Sequence, residues 1–284
     1  MNLHVEVTGS GAPLVMLHGW GMHGGVWTDT VRKLAADFQV HNVDLPGYGY
    51  SRDAGWVERS DTHRRSPEND GYRYAQPILR AIVDELSSAF PEPINLCGWS
   101  LGGIIAQHWA AREPEKVRRL ILVNSTPCFA ARDDWACGMP QETLAQFAAE
   151  LEKNHAATLR RFLALQVRGS EGERELLATL REKLFNRGEP HLDALRGGLA
   201  ILRDADLRDA LPQITQQTLV IAGERDKLTP PEASHYLAQT MPNARMVEIK
   251  GAAHAPFLSH AELFVAAIND FLKGDPQITQ IDAD

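Results

Sequence analysis

Ile94-Asn95-Leu96-Cys97-Gly98-Trp99-Ser100-Leu101-Gly102-Gly103-Ile104-Ile105-Ala106 passes from a strand pattern to a helix pattern through one sharp turn. Residues 94–97 form a short, nearly continuous apolar run, the form of a strand buried on both faces. Residues 101–112 carry a helical pattern. Between the two, Gly98-x-Ser100-x-Gly102 sets a serine at the apex. Glycine has no side chain, so strand and helix can close on one another there. The Ser100 hydroxyl then stands clear of the sheet, and the Leu101 N–H faces the space beside it. A lone G-x-S-x-G arises often by chance; its weight here comes from the strand–turn–helix setting.

Outward from this turn the same rhythm repeats. Residues 14–17, 39–43, 120–123, 218–222 and 245–249 read as further short strands, and 3–7 as a candidate antiparallel edge strand. Helical patterns lie around 26–36, 75–89, 231–240 and 260–272. Alternating strand and helix predicts an α/β fold, with a mostly parallel sheet covered by helices on both faces. The stretch 126–208 breaks the rhythm and reads as helices only, at 141–153, 156–167, 172–185 and 190–202. Pro140 stands where a helix-starting proline belongs. This predicts a core from 1–125 and 209–273, with 126–208 as an all-helical lid over the sheet. The polar stretch 53–74 has no clear period and reads as an inserted surface loop. The acidic tail 274–284 reads as frayed.

A serine hydroxyl is a weak nucleophile near neutral pH and needs a base. Gly251-Ala252-Ala253-His254-Ala255-Pro256-Phe257 supplies His254 in the loop between the last strand and the last helix. The base needs an orienting acid. Asp226 lies in the loop after the strand at 218–222, and the order Ser100, Asp226, His254 suits this arrangement. Glu224 is the rival, two residues nearer the strand; Asp204 and Asp206 are weaker candidates upstream. His18-Gly19-Trp20-Gly21 follows the strand at 14–17, so the Trp20 backbone N–H can face the Leu101 N–H across an oxyanion. Asp44-Leu45-Pro46-Gly47-Tyr48-Gly49-Tyr50-Ser51 reads as a supporting turn.

Composition narrows the functions. With 29 Lys+Arg against 37 Asp+Glu, the net charge is -8, which disfavours broad binding to nucleic acid or to an anionic membrane. Three cysteines, Cys97, Cys128 and Cys137, are too few for a disulfide framework and suit a reducing compartment. No zinc-ligand spacing occurs, and three catalytic groups with an oxyanion hole suffice for the chemistry, so neither metal nor organic cofactor is expected. Neither a signal peptide nor a spanning segment is read, and a cytoplasmic monomer is expected. Serine at position 100 disfavours chemistry that needs an aspartate at the elbow, such as dehalogenation or epoxide opening. A non-catalytic receptor or scaffold has little use for three matched catalytic groups.

Together these motifs resemble the α/β-hydrolase superfamily. The details are closer to the pimeloyl-[acyl-carrier-protein] methyl ester esterases of biotin synthesis. The strings that carry this likeness are Leu17-His18-Gly19-Trp20-Gly21-Met22, Gly98-Trp99-Ser100-Leu101-Gly102-Gly103, Arg161-Phe162-Leu163-Ala164-Leu165-Gln166 and Ala252-Ala253-His254-Ala255-Pro256-Phe257. Ser125-Thr126-Pro127-Cys128-Phe129 and Ala131-Arg132-Asp133-Asp134-Trp135 add to it. The resemblance implies hydrolysis of a pimeloyl methyl ester carried on acyl carrier protein. It implies an acyl site lined by Trp20, Ser100, Leu101, Phe162, Leu163, Ala164, Leu165, Gln166 and His254. It also implies that Arg161 and Arg174 meet the acidic carrier. Two further positions where such esterases can carry arginine read Ala157 and Ala178 here, with Arg160, Arg168 and Arg181 nearby as substitutes. A general short-chain carboxylesterase or a C–C bond hydrolase on the same three residues is the alternative.

Overall fold

A computed structural model describes residues 3–52 and 72–274. Among these, seven strands make one sheet: β1 (Val5–Thr8), β2 (Ala12–Leu17), β3 (Phe38–Val43), β4 (Ile94–Trp99), β5 (Val117–Val123), β6 (Gln217–Gly223) and β7 (Ala244–Ile249). Their spatial order is β1-β3-β2-β4-β5-β6-β7. Only β1 runs antiparallel, pairing Val5 with Val43 of β3; the other pairs are parallel. Every residue of β4 is buried. Successive side chains of a strand point to opposite faces, so both faces of the sheet are covered at its centre.

The covering helices are α1 (Thr28–Leu34), α2 (Tyr72–Ala89), α3 (Leu101–Arg112), α4 (Gln141–Lys153), α5 (His155–Val167), α6 (Glu173–Leu184), α7 (Leu192–Asp204), α8 (Pro231–Thr240), α9 (Pro256–Ser259) and α10 (Ala261–Lys273). Helix α3 buries residues around its whole circumference near its start, as an element at the centre of the fold must. The chain from β5 to β6 carries α4–α7. Asn154 divides α4 from α5 and caps the latter, its side chain accepting from Ala157 N at 3.0 Å.

Several boundaries differ from the sequence reading. Helix α2 begins at Tyr72, so residues 72–74 belong to it and not to the polar loop. The sequence pattern carries no clear period before Ala75, and Pro77 favours a start close before it, so the extra turn leaves no trace in the sequence. The rest of that loop, 53–71, and the tail 275–284 lie outside the described residues. The expected helix at 26–36 starts as a 3-10 turn at Gly24–Trp27. The expected helix at 260–272 is preceded by a separate turn, α9, with a break at His260. The edge strand is Val5–Thr8, starting two residues and ending one residue later than expected. Residues 126–140 are not helical; isolated bridges join Cys128 to Asp206 and Ala130 to Met139.

Side-chain bonds help fasten α4–α7 to the loops at the sheet's end. Trp20 Nε1 donates to Leu195 O of α7 at 2.9 Å. Tyr48 Oη donates to Ala194 O at 3.0 Å. Arg187, after α6, reaches Glu6 of β1 and the fully buried Asp44 after β3. Asp44 also accepts Gly24 N at 2.6 Å and Tyr50 N at 2.9 Å. The turn read as structural support is therefore where the helical insertion is moored.

Candidate active site

The carboxyl ends of β2, β4, β5, β6 and β7 lie along one edge of the parallel sheet, the usual place for a site in such a fold. Ser100 follows β4 with φ 54 and ψ -117. A non-glycine residue at positive φ is uncommon and persists only where its surroundings hold it. Ser100 N donates to Val123 O at 3.0 Å, and Ser125 Oγ donates to Ser100 O at 3.0 Å. A Cβ on Gly98 would lie 2.3 Å from Gly102 O, and one on Gly102 would lie 2.6 Å from Leu17 O. No side chain fits at either position, which accounts for both glycines of the motif.

His254 follows β7 and is 1% exposed. Its Nδ1 lies 2.7 Å from Asp226 Oδ2. Asp226, fully enclosed after β6, also accepts Thr229 Oγ1 at 2.7 Å, Leu228 N at 2.8 Å, Thr229 N at 3.2 Å and Asn124 Nδ2. Burial by itself would raise the Asp226 carboxyl. The facing His254 charge and the bonds from His254, Thr229 and Asn124 outweigh burial and hold it below the usual carboxylate range. An ionised Asp226 can only accept, so His254 Nδ1 carries the proton and Nε2 presents its lone pair. Nε2 is buried and has no hydrogen-bond partner among the described residues.

The histidine backbone is held on both sides. Trp99 Nε1 donates to His254 O at 2.8 Å, and His254 N donates to Gln166 O of α5 at 3.0 Å. Trp99 also meets Phe257 edge-on at 4.9 Å, and Phe257 packs on Trp27 at 4.2 Å. The rival acids are engaged elsewhere. Glu224 accepts Gly251 N at 2.9 Å. Asp204 pairs with Arg203, and Asp206 with Arg208.

Leu101 opens α3, where a helix leaves its first N–H without an internal partner. The His18–Gly21 loop is set against Ser100 by contact: a Cβ on Gly19 would lie 3.1 Å from the Trp99 ring and 3.3 Å from Ser100 Cβ. Burial lowers the pKa of His18 to about 4, against the opposing pull of its bond to Gly19 and of Asp44. The neutral ring donates from Nδ1 to Gly19 O at 2.8 Å and accepts Leu45 N at Nε2 at 3.0 Å. That fixes the loop carrying Trp20.

The Trp20 ring is buried and meets Phe162 edge-on at 4.9 Å. Phe162, Leu163 and Gln166 are buried along α5, while Ala164 and Leu165 are half-buried. Gln166 Oε1 is enclosed without a hydrogen-bond partner among the described residues.

The family model of the alpha/beta hydrolase fold matches residues 12–261. The chain belongs to the α/β hydrolase fold family. Its relatives include a pimeloyl-[acyl-carrier protein] methyl ester esterase of Nitrosomonas europaea, 42% identical over 94% of this chain and 98% of the relative. One of the same name from Xanthomonas oryzae pv. oryzae is 42% identical over 96% of this chain and all of the relative, 100%. Among solved structures, an esterase from Exiguobacterium antarcticum superposes with a TM-score of 0.80 at 24% identity, covering 96% of each chain. A bromoperoxidase from Bacillus anthracis superposes at 0.77 with 21% identity over 95% of each chain. At such identities these structures speak to the fold alone. As an α/β hydrolase with esterase relatives over almost its full length, the chain is an ester hydrolase.

The two arginines matched to carrier docking differ in this α/β hydrolase. Arg161 pairs with Glu150 of α4 at 2.6 Å and lies over the Phe147 ring at 4.8 Å. Arg174, in the first turn of α6, is exposed and makes no ion pair with a described residue. Two residues at the acid escaped the sequence reading. Asn124 ends β5 at φ 40, a conformation asparagine tolerates better than most. Thr229 lies three places after Asp226. A polar Asn-Ser-Thr run at a strand end was the available signal for the first; the second had none beyond proximity.

Proposed function

We propose that the chain hydrolyses the methyl ester of a pimeloyl group carried on acyl carrier protein, releasing methanol and a free carboxylate. Two observations together support the reading. A polarised His254–Asp226 pair borders the Ser100 turn, and curated relatives carrying that activity in their names align with nearly the whole chain.

Ser100 Oγ attacks the ester carbonyl while His254 Nε2 takes its proton. The oxygen that gains charge is met by the N–H groups of Leu101 and Trp20; one such donor is worth roughly 3 kcal/mol in the transition state. His254 then protonates the departing methoxide. The pimeloyl chain is left as an ester on Ser100. Water, deprotonated by the same Nε2, attacks that ester; Nε2 returns the proton to Ser100 Oγ as it leaves, and the carboxylate is freed. Asp226 holds the imidazole in its Nδ1–H form and offsets the charge it gains. The chemistry calls on no metal or organic cofactor. Trp20 and the 162–166 segment of α5 border the acyl chain. The carrier approaches over α5 and α6, where Arg174 is free to meet its acidic surface and Arg161 is largely neutralised by Glu150.

Methanol release from the carrier-bound methyl ester tests this directly. The wild type is expected to turn it over, and Ser100→Ala to lose activity by about 10⁴-fold or more while melting normally. Turnover by Ser100→Ala near the wild-type rate overturns the mechanism. Activity on short soluble esters with none on the carrier-bound one leaves a general esterase.

A further inference from the structure

The oxygen of the Ser100–Leu101 peptide accepts more than a helix start requires. Ser100 O takes Gly103 N at 2.9 Å and Ile104 N at 3.2 Å, the bonds that open α3. It also takes the Ser125 hydroxyl at 3.0 Å, from the loop after β5. A carbonyl oxygen only accepts, so the Ser125 proton points at this peptide. Gln107 of α3 fixes that direction from behind. Its Nε2 lies 3.1 Å from Gly103 O, 3.2 Å from Thr126 O and 3.3 Å from Ser125 Oγ. The two carbonyls demand the donor end of the amide here, so Nε2 donates to the hydroxyl oxygen and leaves its proton for Ser100 O. Ser125 and Gln107 are 1% and 0% exposed, so neither exchanges these bonds for bulk water. Gly103 makes the room: a Cβ there would lie 2.5 Å from Ser125 Cβ and closer still to Oγ. The glycine that follows the Gly98-x-Ser100-x-Gly102 motif thus admits this hydroxyl.

A peptide unit is planar, and in the trans form its C=O and N–H point in opposite directions. Whatever holds Ser100 O therefore aims Leu101 N–H, the group assigned above to the oxyanion. A donor on the oxygen also polarises the unit and strengthens its N–H as a donor. We propose that Ser125 is a positioning residue for the oxyanion hole, acting through the Ser100–Leu101 peptide, with Gln107 orienting its hydroxyl. The inference rests on the Ser100 mechanism proposed above and deepens it. The first turn of a helix is the part that frays, so the bonds of α3 alone hold this peptide loosely. Ser125 ties it instead to the buried centre of the sheet. Ser100 N, bonded to Val123 O of β5, is the second tie to the same strand end. The two together brace a residue whose φ of 54 would otherwise relax.

The test combines turnover of p-nitrophenyl butyrate with two inhibitors of the same acyl chain. A trifluoromethyl ketone takes up Ser100 Oγ and sets an oxyanion in the hole. The matching methyl ketone stays trigonal and reports ground-state binding. Ser125→Ala removes one oxygen; Ser100 O keeps two donors and Gln107 Nε2 two carbonyls, so the variant is expected to fold. Its kcat/KM is expected to fall about tenfold, short of the roughly 10²–10³ for deleting an oxyanion donor outright. The trifluoromethyl ketone is expected to weaken by a similar factor and the methyl ketone by less than about twofold, as for a contact made only in the transition state. The acid limb of the kcat/KM pH profile is expected to stay in place, since it reports the base. Gln107→Met is expected to show the same pattern at smaller size, and wild-type behaviour there removes Gln107 from the proposal. Wild-type turnover in Ser125→Ala overturns the positioning role. So does equal weakening of both ketones, which marks a distorted pocket. A displaced acid limb overturns it too, because the effect then passes through neighbouring Asn124 to Asp226. Ser100→Ala turning over near the wild-type rate overturns the mechanism beneath; with that variant inert and Ser125→Ala unimpaired, only the positioning role falls.

Discussion

Asn124 does for Asp226 what Asp226 does for His254. Its amide donates to the carboxylate Oδ2, and its backbone at φ 40 turns the chain so that this is possible. Asn124→Ala removes a charge-assisted bond and puts alanine where φ is positive, so a stability loss of about 1–3 kcal/mol is expected. Asn124→Gly also loses the bond but relieves the backbone strain. Comparing the two by urea melts and by kcat separates the effects: both variants lose kcat and some stability, and the alanine is expected to lose about 1 kcal/mol more than the glycine. Equal stability in both would mean the conformation at 124 costs nothing. Ser100, Asp226 and His254 were legible because each follows an apolar strand inside a recognisable local string. Asn124 was not, because its partner is 102 positions away and the polar run at 124–126 does not point to that partner. Glu224 stayed open as a rival for the same reason, since only the fold shows it turned to Gly251 N.

At the scale of elements, the apolar runs announced the strands because a doubly covered strand needs nearly every residue apolar. Helix ends were harder. The first turn of α2 shows no period, and the break at His260 carries neither glycine nor proline. The mooring of the insertion was invisible, since Arg187, Trp20 and Tyr48 meet their partners across long stretches of chain. Gly198 of α7 tests that mooring. A Cβ there would lie 2.6 Å from Trp20 Cδ1 and 2.9 Å from Tyr48 Oη. Gly198→Ala raises helix propensity yet is expected to lower stability by about 1–3 kcal/mol through overpacking. It should also raise KM, because Trp20 is displaced from Phe162. A higher melting temperature with unchanged KM would show that α7 shifts aside freely. Arg187→Met leaves the enclosed Asp44 unpaired and is expected to cost about 3 kcal/mol or more, measured by urea denaturation.

For the whole molecule, the buried histidines set an acid limit. Burial is the largest cause in each case and lowers His18 and His108 to about 4 and His23 below its ordinary value. Unfolded, each takes a proton near 6.5; folded, all three resist to lower pH, His18 and His108 to about 4. The unfolded chain therefore binds more protons in this window, and stability falls as pH drops from about 6.5 toward 4. His18 alone accounts for roughly 3 kcal/mol. Asp226, held low in the folded state, adds to the loss below its ordinary range. Urea midpoints at pH 7.5 and 4.5 measure this, and equal midpoints would contradict it. The bond from His254 N to the Gln166 carbonyl bears on recombination between relatives. Any residue at 166 can supply a carbonyl, so what matters is the seat of α5 and not its side chain there. A transplanted insertion of equal length keeps the bond. Deleting one residue from α5 rotates the downstream end of the helix by about 100° and offers the histidine loop a different stretch of backbone. Chimaeras chosen only to change substrate preference would then lose turnover on every ester.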